Sequence, residues 1–248
     1  MPVLSTICLR CSDPAAQRAF YCDMLGMRTR ADGSVGYGAG QAGLLFEPAE
    51  TPYAPSPRDL YWKIALSVPD LDRAVRELGA RGVAVGAPRQ VGDIAYLAHL
   101  RDPEGFTVEL LDHWFQGERP AGLAATEALG GGPSLNLLTL RAAEIAPADT
   151  AVRAMGMRRL SVMPAPALGF DLHFYAFTGE VPPDPLAVEN RSWVYRRPYT
   201  VLEIQHPAGS GDILGPRPGA AGFAGALVRG ETTGPLATGL GFAPETVP

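Results

Sequence analysis

The feature that most constrains this chain is an internal repeat. "TICLRCSDPAAQRAFYCDMLGM" at 6–27 reads as a strand, an Asp-Pro helix start, an amphipathic helix and a closing Leu-Gly. "KIALSVPDLDRAVRELGARGV" at 63–83 has the same order, with Asp70 before the helix and Gly79 after it. "LLTLRAAEIAPADTAVRAMGM" at 137–157 gives it a third time, with Glu144 in place of the Asp and Gly156 at the close. Asp13 and Asp70 suit a helix N-cap, where a short carboxylate accepts free backbone N–H groups. Gly26, Gly79 and Gly156 suit the left-handed residue that ends a helix.

Short alternating segments follow each helix. They are "GSVGYGAG" and "AGLLFEP", then "GVAVGAP", "IAYLAHLRD" and "FTVELLD", then "MRRLSVMP", "FDLHFYAFTG", "SWVYRRP" and "TVLEIQH". The predicted unit is β-α-β-β-β and the fold class α+β. Two units fill 1–115 as one paired domain, 116–133 is a linker with one short helical turn before its glycines, and 134–248 holds a third unit. A fourth, begun by "GFAGALVRGETTGPLATGLGF", is truncated, because its helix region carries too much Gly, Thr and Pro. A third unit without a complete partner predicts an uncovered edge, and from it a homodimer or a tail folded back.

Composition closes off other classes. A net charge of −5 gives no reason to expect a nucleic acid or an anionic membrane as partner. No apolar run approaches the ~18 residues of a membrane span, and "MPVLSTICLR" lacks the regions of a secretory signal. Three cysteines, Cys8, Cys11 and Cys22, are an odd number and argue against a disulfide framework. The expectation is a cytoplasmic protein with a small-molecule substrate or ligand.

The chemistry-bearing stretch is "LRDPEGFTVELLDHW" at 100–114. It reads as a strand, a turn through Asp102-Pro103-Glu104-Gly105, and a second strand with Thr107, Glu109 and Leu111 on one face. A carboxylate in an apolar strand is costly unless paired or bound to a cation.

These units resemble the vicinal oxygen chelate superfamily, which includes glyoxalase I, extradiol dioxygenases and bleomycin-binding proteins. The resemblance rests on "IALSVPDLDRAVRELGARGV" with "RDPEGFTVELLDH", and on "ICLRCSDPAAQRAFYCDMLGM". The third unit resembles the first half of glyoxalase I through "FDLHFYAFTGE" and "SWVYRRPYTVLEIQH". The resemblance implies that paired units curl into an eight-stranded cup around a metal held by first and last strands. Its ligand positions fall here on Thr6 and Leu44, Lys63 and Glu109, Leu137 and Glu203, and Gly225. A divalent ion wants three or four His, Glu or Gln side chains, so the expected cofactor is none, with Glu109 and Glu203 as vestigial metal positions.

The resemblance puts His99 and Leu97, on the strand before the turn, at pocket-lining positions, and strand parity then adds Arg10, Thr6 and Cys8 to one cup with Lys63, His99 and Glu109. Lys63, His99 and Glu109 are the catalytic candidates; Lys63 would polarise a carbonyl or hold a carboxylate while Glu109 moves a proton. A plain ion pair of Lys63 with Glu109, filling the cup, is the alternative. Arg10, Thr6, Cys8, Leu97, Leu111, Trp114 and Arg141 are the substrate-binding candidates, and Arg10 stands where it could lower the Cys8 pKa. Three functions compete. The first is a metal-independent lyase or isomerase moving a proton next to a carbonyl. The second is a sequestering protein of the antibiotic-resistance kind. The third, a metal-dependent glyoxalase or dioxygenase, is disfavoured by Thr6, Leu44, Leu137 and Gly225.

Overall fold

The computed structural model describes residues 1–122, 127–209 and 211–245. The first unit contains β1 (Val3–Cys11), α1 (Pro14–Ala19), whose helix widens through Phe20–Met24, then β2 (Arg28–Thr29), β3 (Val35–Gly36) and β4 (Gly43–Pro48). The second contains β5 (Tyr61–Val68), α2 (Leu71–Ala80), β6 (Arg89–Val91), β7 (Ala95–Arg101) and β8 (Thr107–Asp112). A short turn of helix, α3 (Ala128–Gly131), precedes the third. That unit contains β9 (Ser134–Arg141), α4 (Ile145–Ala154), β10 (Arg158–Ala165), β11 (Phe170–Ala176), α5 (Arg191–Val194) and β12 (Val201–Pro207). β13 (Gly222–Arg229) and β14 (Phe242–Pro244) follow, with no α-helix between them.

Helix starts behave as their chemistry requires. Asp13 accepts from the Ala16 N–H and Asp70 from the Arg73 N–H, each at 2.9 Å. Glu144 makes no such bond, since its longer side chain does not close the short cap ring. Gly26 and Gly156 are left-handed, with φ of 74° and 103°. Gly79 lies inside α2, and the left-handed residue after it is Gly82, at φ 83°.

The units pair differently from the expectation. One sheet runs β14-β13-β1-β4-β3-β2, and an eight-stranded sheet runs β10-β11-β12-β9-β5-β8-β7-β6. Thus the first unit pairs with the C-terminal strands through β1 and β13, and the second pairs with the third through β5 and β9. The boundaries 1–115 and 134–248 therefore do not separate the sheets. β9 is an inner strand and β13 covers the edge of the first unit, so the premise of an uncovered third unit falls.

The turn 102–105 does more than reverse the chain. Asp102 accepts from Gln17 Nε2 at 2.7 Å, from Tyr21 Oη at 3.0 Å and from the N–H groups of Glu104, Gly105 and Phe106. Glu104 accepts from Ser12 N and Oγ and from Tyr53 N. The turn is the joint that docks the first unit on the second. Asp102→Ala strands several buried donors, so chemical denaturation is expected to find a loss of about 2–3 kcal/mol. Burial pushes the Asp102 carboxyl up to about 6, against its hydrogen bonds. A raised folded pKa stabilises at acid pH, and that stabilisation is lost as pH rises through about 6. The penalty of Asp102→Ala is therefore expected to be larger at acid pH than at neutral pH.

Candidate functional site

The eight-stranded sheet curls into a cup, and one end of it remains open as a cavity of about 250 Å³. Lys63, on β5, stands opposite Thr139 on β9, which in turn stands opposite Glu203 on β12. On the other flank Ala65 faces Glu109 on β8, and Glu109 faces His99 on β7. Five strands from two units thus deliver their inward residues to one point.

There the Lys63 ammonium donates to Glu109 Oε1 at 2.9 Å, to Thr139 Oγ1 at 3.0 Å and to Glu203 Oε1 at 3.2 Å. Three donors meet three acceptors, and no N–H is left for a ligand. Lys63, Glu109 and Glu203 are 2%, 4% and 3% exposed. Burial alone would lower the lysine pKa, but the two carboxylates outweigh it and hold Lys63 above its usual value. Burial would raise Glu109; Lys63 and His99 outweigh it and hold this carboxyl below its ordinary value. At Glu203 burial wins, helped by repulsion from Glu109, and the carboxyl is pushed up. The two glutamates are therefore unequal: Glu109 is the fixed anion, Glu203 the one that protonates more readily.

His99 stands on the wall, its side chain 31% exposed, with Nε2 3.0 Å from Glu109 Oε2. Nε2 is itself buried and off the line of a good hydrogen bond, so the contact is an ion pair whenever the imidazole is protonated. Trp62 joins the cavity against strand parity. A bulge between Tyr61 and Lys63 turns two consecutive side chains to the same face. Its indole lies 4.7 Å from Lys63 Nζ. Leu97, Leu111, Leu137, Phe170, Leu172 and the ring of Tyr195 form apolar wall.

Lys63, His99, Glu109, Leu97, Leu111 and Glu203 come together as one cavity lining. Arg10, Thr6 and Cys8 do not join them, because β1 belongs to the other sheet. Arg10 pairs with Glu47 at 3.0 Å. Burial pushes the Cys8 thiol up to about 12, with Glu47 adding and Arg10 opposing too weakly to activate it. In that sheet Leu45, rather than Leu44, stands opposite Cys8 as Glu109 stands opposite Ala65. Trp114 lies off the cavity under the Arg196 guanidinium, 4.7 Å from its ring centroid. Arg141 donates to Gln205 and to the Ser56 and Asp59 carbonyls; its guanidinium lies 5.4 Å from the Trp62 ring centroid and does not line the cavity.

The donor set does not suit a divalent ion. Among the described residues no group of three His, Cys, Asp or Glu side chains is arranged to hold a metal. The point at which Glu109 and Glu203 converge is taken by an ammonium.

Residues 3–110 match the Glyoxalase/Bleomycin resistance protein/Dioxygenase superfamily. Glyoxalase I from Zea mays superposes with a TM-score of 0.61 at 15% identity, over 92% of this chain and 74% of that one. A putative dioxygenase from Bacillus subtilis superposes with a TM-score of 0.56 at 16% identity, over 92% and 70%. At such identities the likeness establishes the fold. No curated protein sequence matches the chain.

Proposed function

We propose that the chain is a member of the Glyoxalase/Bleomycin resistance protein/Dioxygenase superfamily, whose model matches residues 3–110, and that its second and third units form a metal-independent acid–base site. The reaction is proton transfer next to the carbonyl of a small, largely apolar molecule, of lyase or isomerase type. The observation that carries it is the line His99–Glu109–Lys63–Glu203 at the floor of a cavity whose remaining lining is apolar apart from Arg89.

The roles follow from access. His99 carries the proton, since it is the exposed member of the line. Nε2 faces Glu109, which leaves Nδ1 for the ligand. Glu109 orients the ring and stabilises the imidazolium when it forms. Lys63 fixes Glu109 as an anion and cannot hydrogen-bond a carbonyl, which revises the role expected of it. Its charge acts through space on an oxygen that gains negative charge at the floor, where screening by water is weak.

The second reading is sequestration without chemistry. It is favoured by the satisfied Lys63 ammonium and the apolar walls. Deuterium exchange at the carbon next to the carbonyl, followed by NMR across a panel of small ketones and aldehydes, separates the two. Exchange catalysed by the protein, unchanged by a strong chelator and without added metal, is the expected result. Binding with no exchange of any panel member would leave sequestration standing. Exchange that stops on chelation would overturn metal independence.

A further inference from the structure

The segment between β11 and β12, which the alternation of "SWVYRRP" predicts to be a strand, instead enters the cup as α5 and its flanks. It is fastened there by buried polar contacts. Ser67 Oγ donates to the Tyr195 carbonyl, and Asn136 Nδ2 donates to the Val194 carbonyl at 3.3 Å. Tyr195 Oη donates to the Ile94 carbonyl at 3.1 Å, across to the second unit. The guanidinium of Arg191 donates to the Asp93 carbonyl beside it.

These anchors divide the cup along its length. At the Lys63 end, Trp62, Lys63 and His99 face open space. At the Ser67 end the space is filled by core, in which Val194 and Tyr195 pack with Ala65, Met163 and Phe174. Tyr195 belongs to both: it is 2% exposed, packed in that core and part of the cavity lining. Its hydroxyl is spent on Ile94, so what it offers a ligand is an immobile ring.

Resting on the reading that this cavity is the ligand site, we propose that Tyr195 is the end wall that sets the length of molecule the cup accepts. A ligand lies with its carbonyl at the Lys63–His99 end and its apolar part toward Tyr195. Tyr195 determines specificity and takes no part in moving the proton.

The test uses unbranched methyl ketones from butanone through hexanone and octanone to decanone, titrated into the full chain and followed by NMR. In the unsubstituted protein, affinity is expected to rise roughly three- to fourfold per added methylene while the chain fills the cavity, and then to drop at the first member too long for it. Tyr195→Ala, or Tyr195→Leu should the larger truncation fail to fold, moves that drop to a longer member of the series, because the ring that closes the cavity is removed. Tyr195→Phe, which keeps the ring, leaves the drop in place. An affinity that keeps rising along the series in the unsubstituted protein overturns the end-wall assignment, as does an unmoved drop in a folded Tyr195→Leu. Either outcome leaves the cavity as the ligand site. Absence of binding by every ketone to every form overturns the site reading and the end wall with it.

Discussion

Replacement of Lys63 by methionine is expected to destabilise the protein by about 3–5 kcal/mol near neutral pH, the usual cost of leaving a buried charge without its partner. In thermal unfolding this is a fall of about 10 °C or more for a chain of this size. The side chain that disappears is 2% exposed and satisfies two glutamates at 2.9 and 3.2 Å. What remains is two carboxylates around an empty centre, so at least one must take up a proton. The sign of the pH dependence contributed by Glu109 should then change, joining that of Glu203, which burial already raises. With Lys63 present, Glu109 titrates below its ordinary value, and its contribution is lost as pH falls through that lowered pKa. Without Lys63 the glutamates titrate above their unfolded values, and stability is lost as pH rises through the raised pKa. The deficit of Lys63→Met relative to the original protein should therefore grow from mildly acid to mildly alkaline pH. Changing Glu109 and Glu203 to Gln in the same chain should recover most of the loss, because the repulsion then has no source. A deficit that is flat with pH and unmoved by the added substitutions would mean that Lys63 acts by filling space.

The repeat was legible because each unit writes its own strand, cap and closing glycine within about twenty residues. The pairing of units was not. β1, β5 and β9 are all apolar strands, and nothing local in "TICLR", "KIALS" or "LLTLR" says which will lie beside which. That choice is made by contacts distant in sequence, and it removed Arg10, Thr6 and Cys8 from the site while bringing in Glu203. The Lys63–Glu109 contact survived the wrong pairing because both residues belong to one unit, on adjacent parallel strands. Trp62 was hidden by its bulge, since period-two alternation assigns it to the opposite face from Lys63. Tyr195 was hidden by a segment whose alternating pattern fits a strand but whose backbone is held as a helix by Ser67 and Asn136. Both signals lie in tertiary anchoring and leave no local trace.

The sharpest separation of roles is expected between His99 and Glu109, once a molecule that undergoes exchange is in hand. His99→Gln should lower kcat by about 100-fold or more with KM changed little, the range for loss of a positioned acid–base group. Its unfolding temperature should hardly move, because the side chain is 31% exposed and gives up only its contacts to Glu109 and the Trp62 ring. Glu109→Gln should also lower kcat, since the ring loses the anion that orients it and balances its charge. This second change, unlike the first, leaves the buried ammonium of Lys63 with only Glu203 as a charged partner. It should therefore cost stability as well, by about 3 kcal/mol. Rate loss without stability loss at His99, and both together at Glu109, is the signature of a proton carrier backed by a buried positioning carboxylate. If His99→Gln keeps full turnover while Glu109→Gln does not, the proton is moved by the glutamate through its few accessible atoms, and His99 is only wall. If neither substitution affects exchange, the reacting carbon lies elsewhere in the cup, and Glu203, the carboxyl that burial pushes toward protonation, becomes the residue to change next.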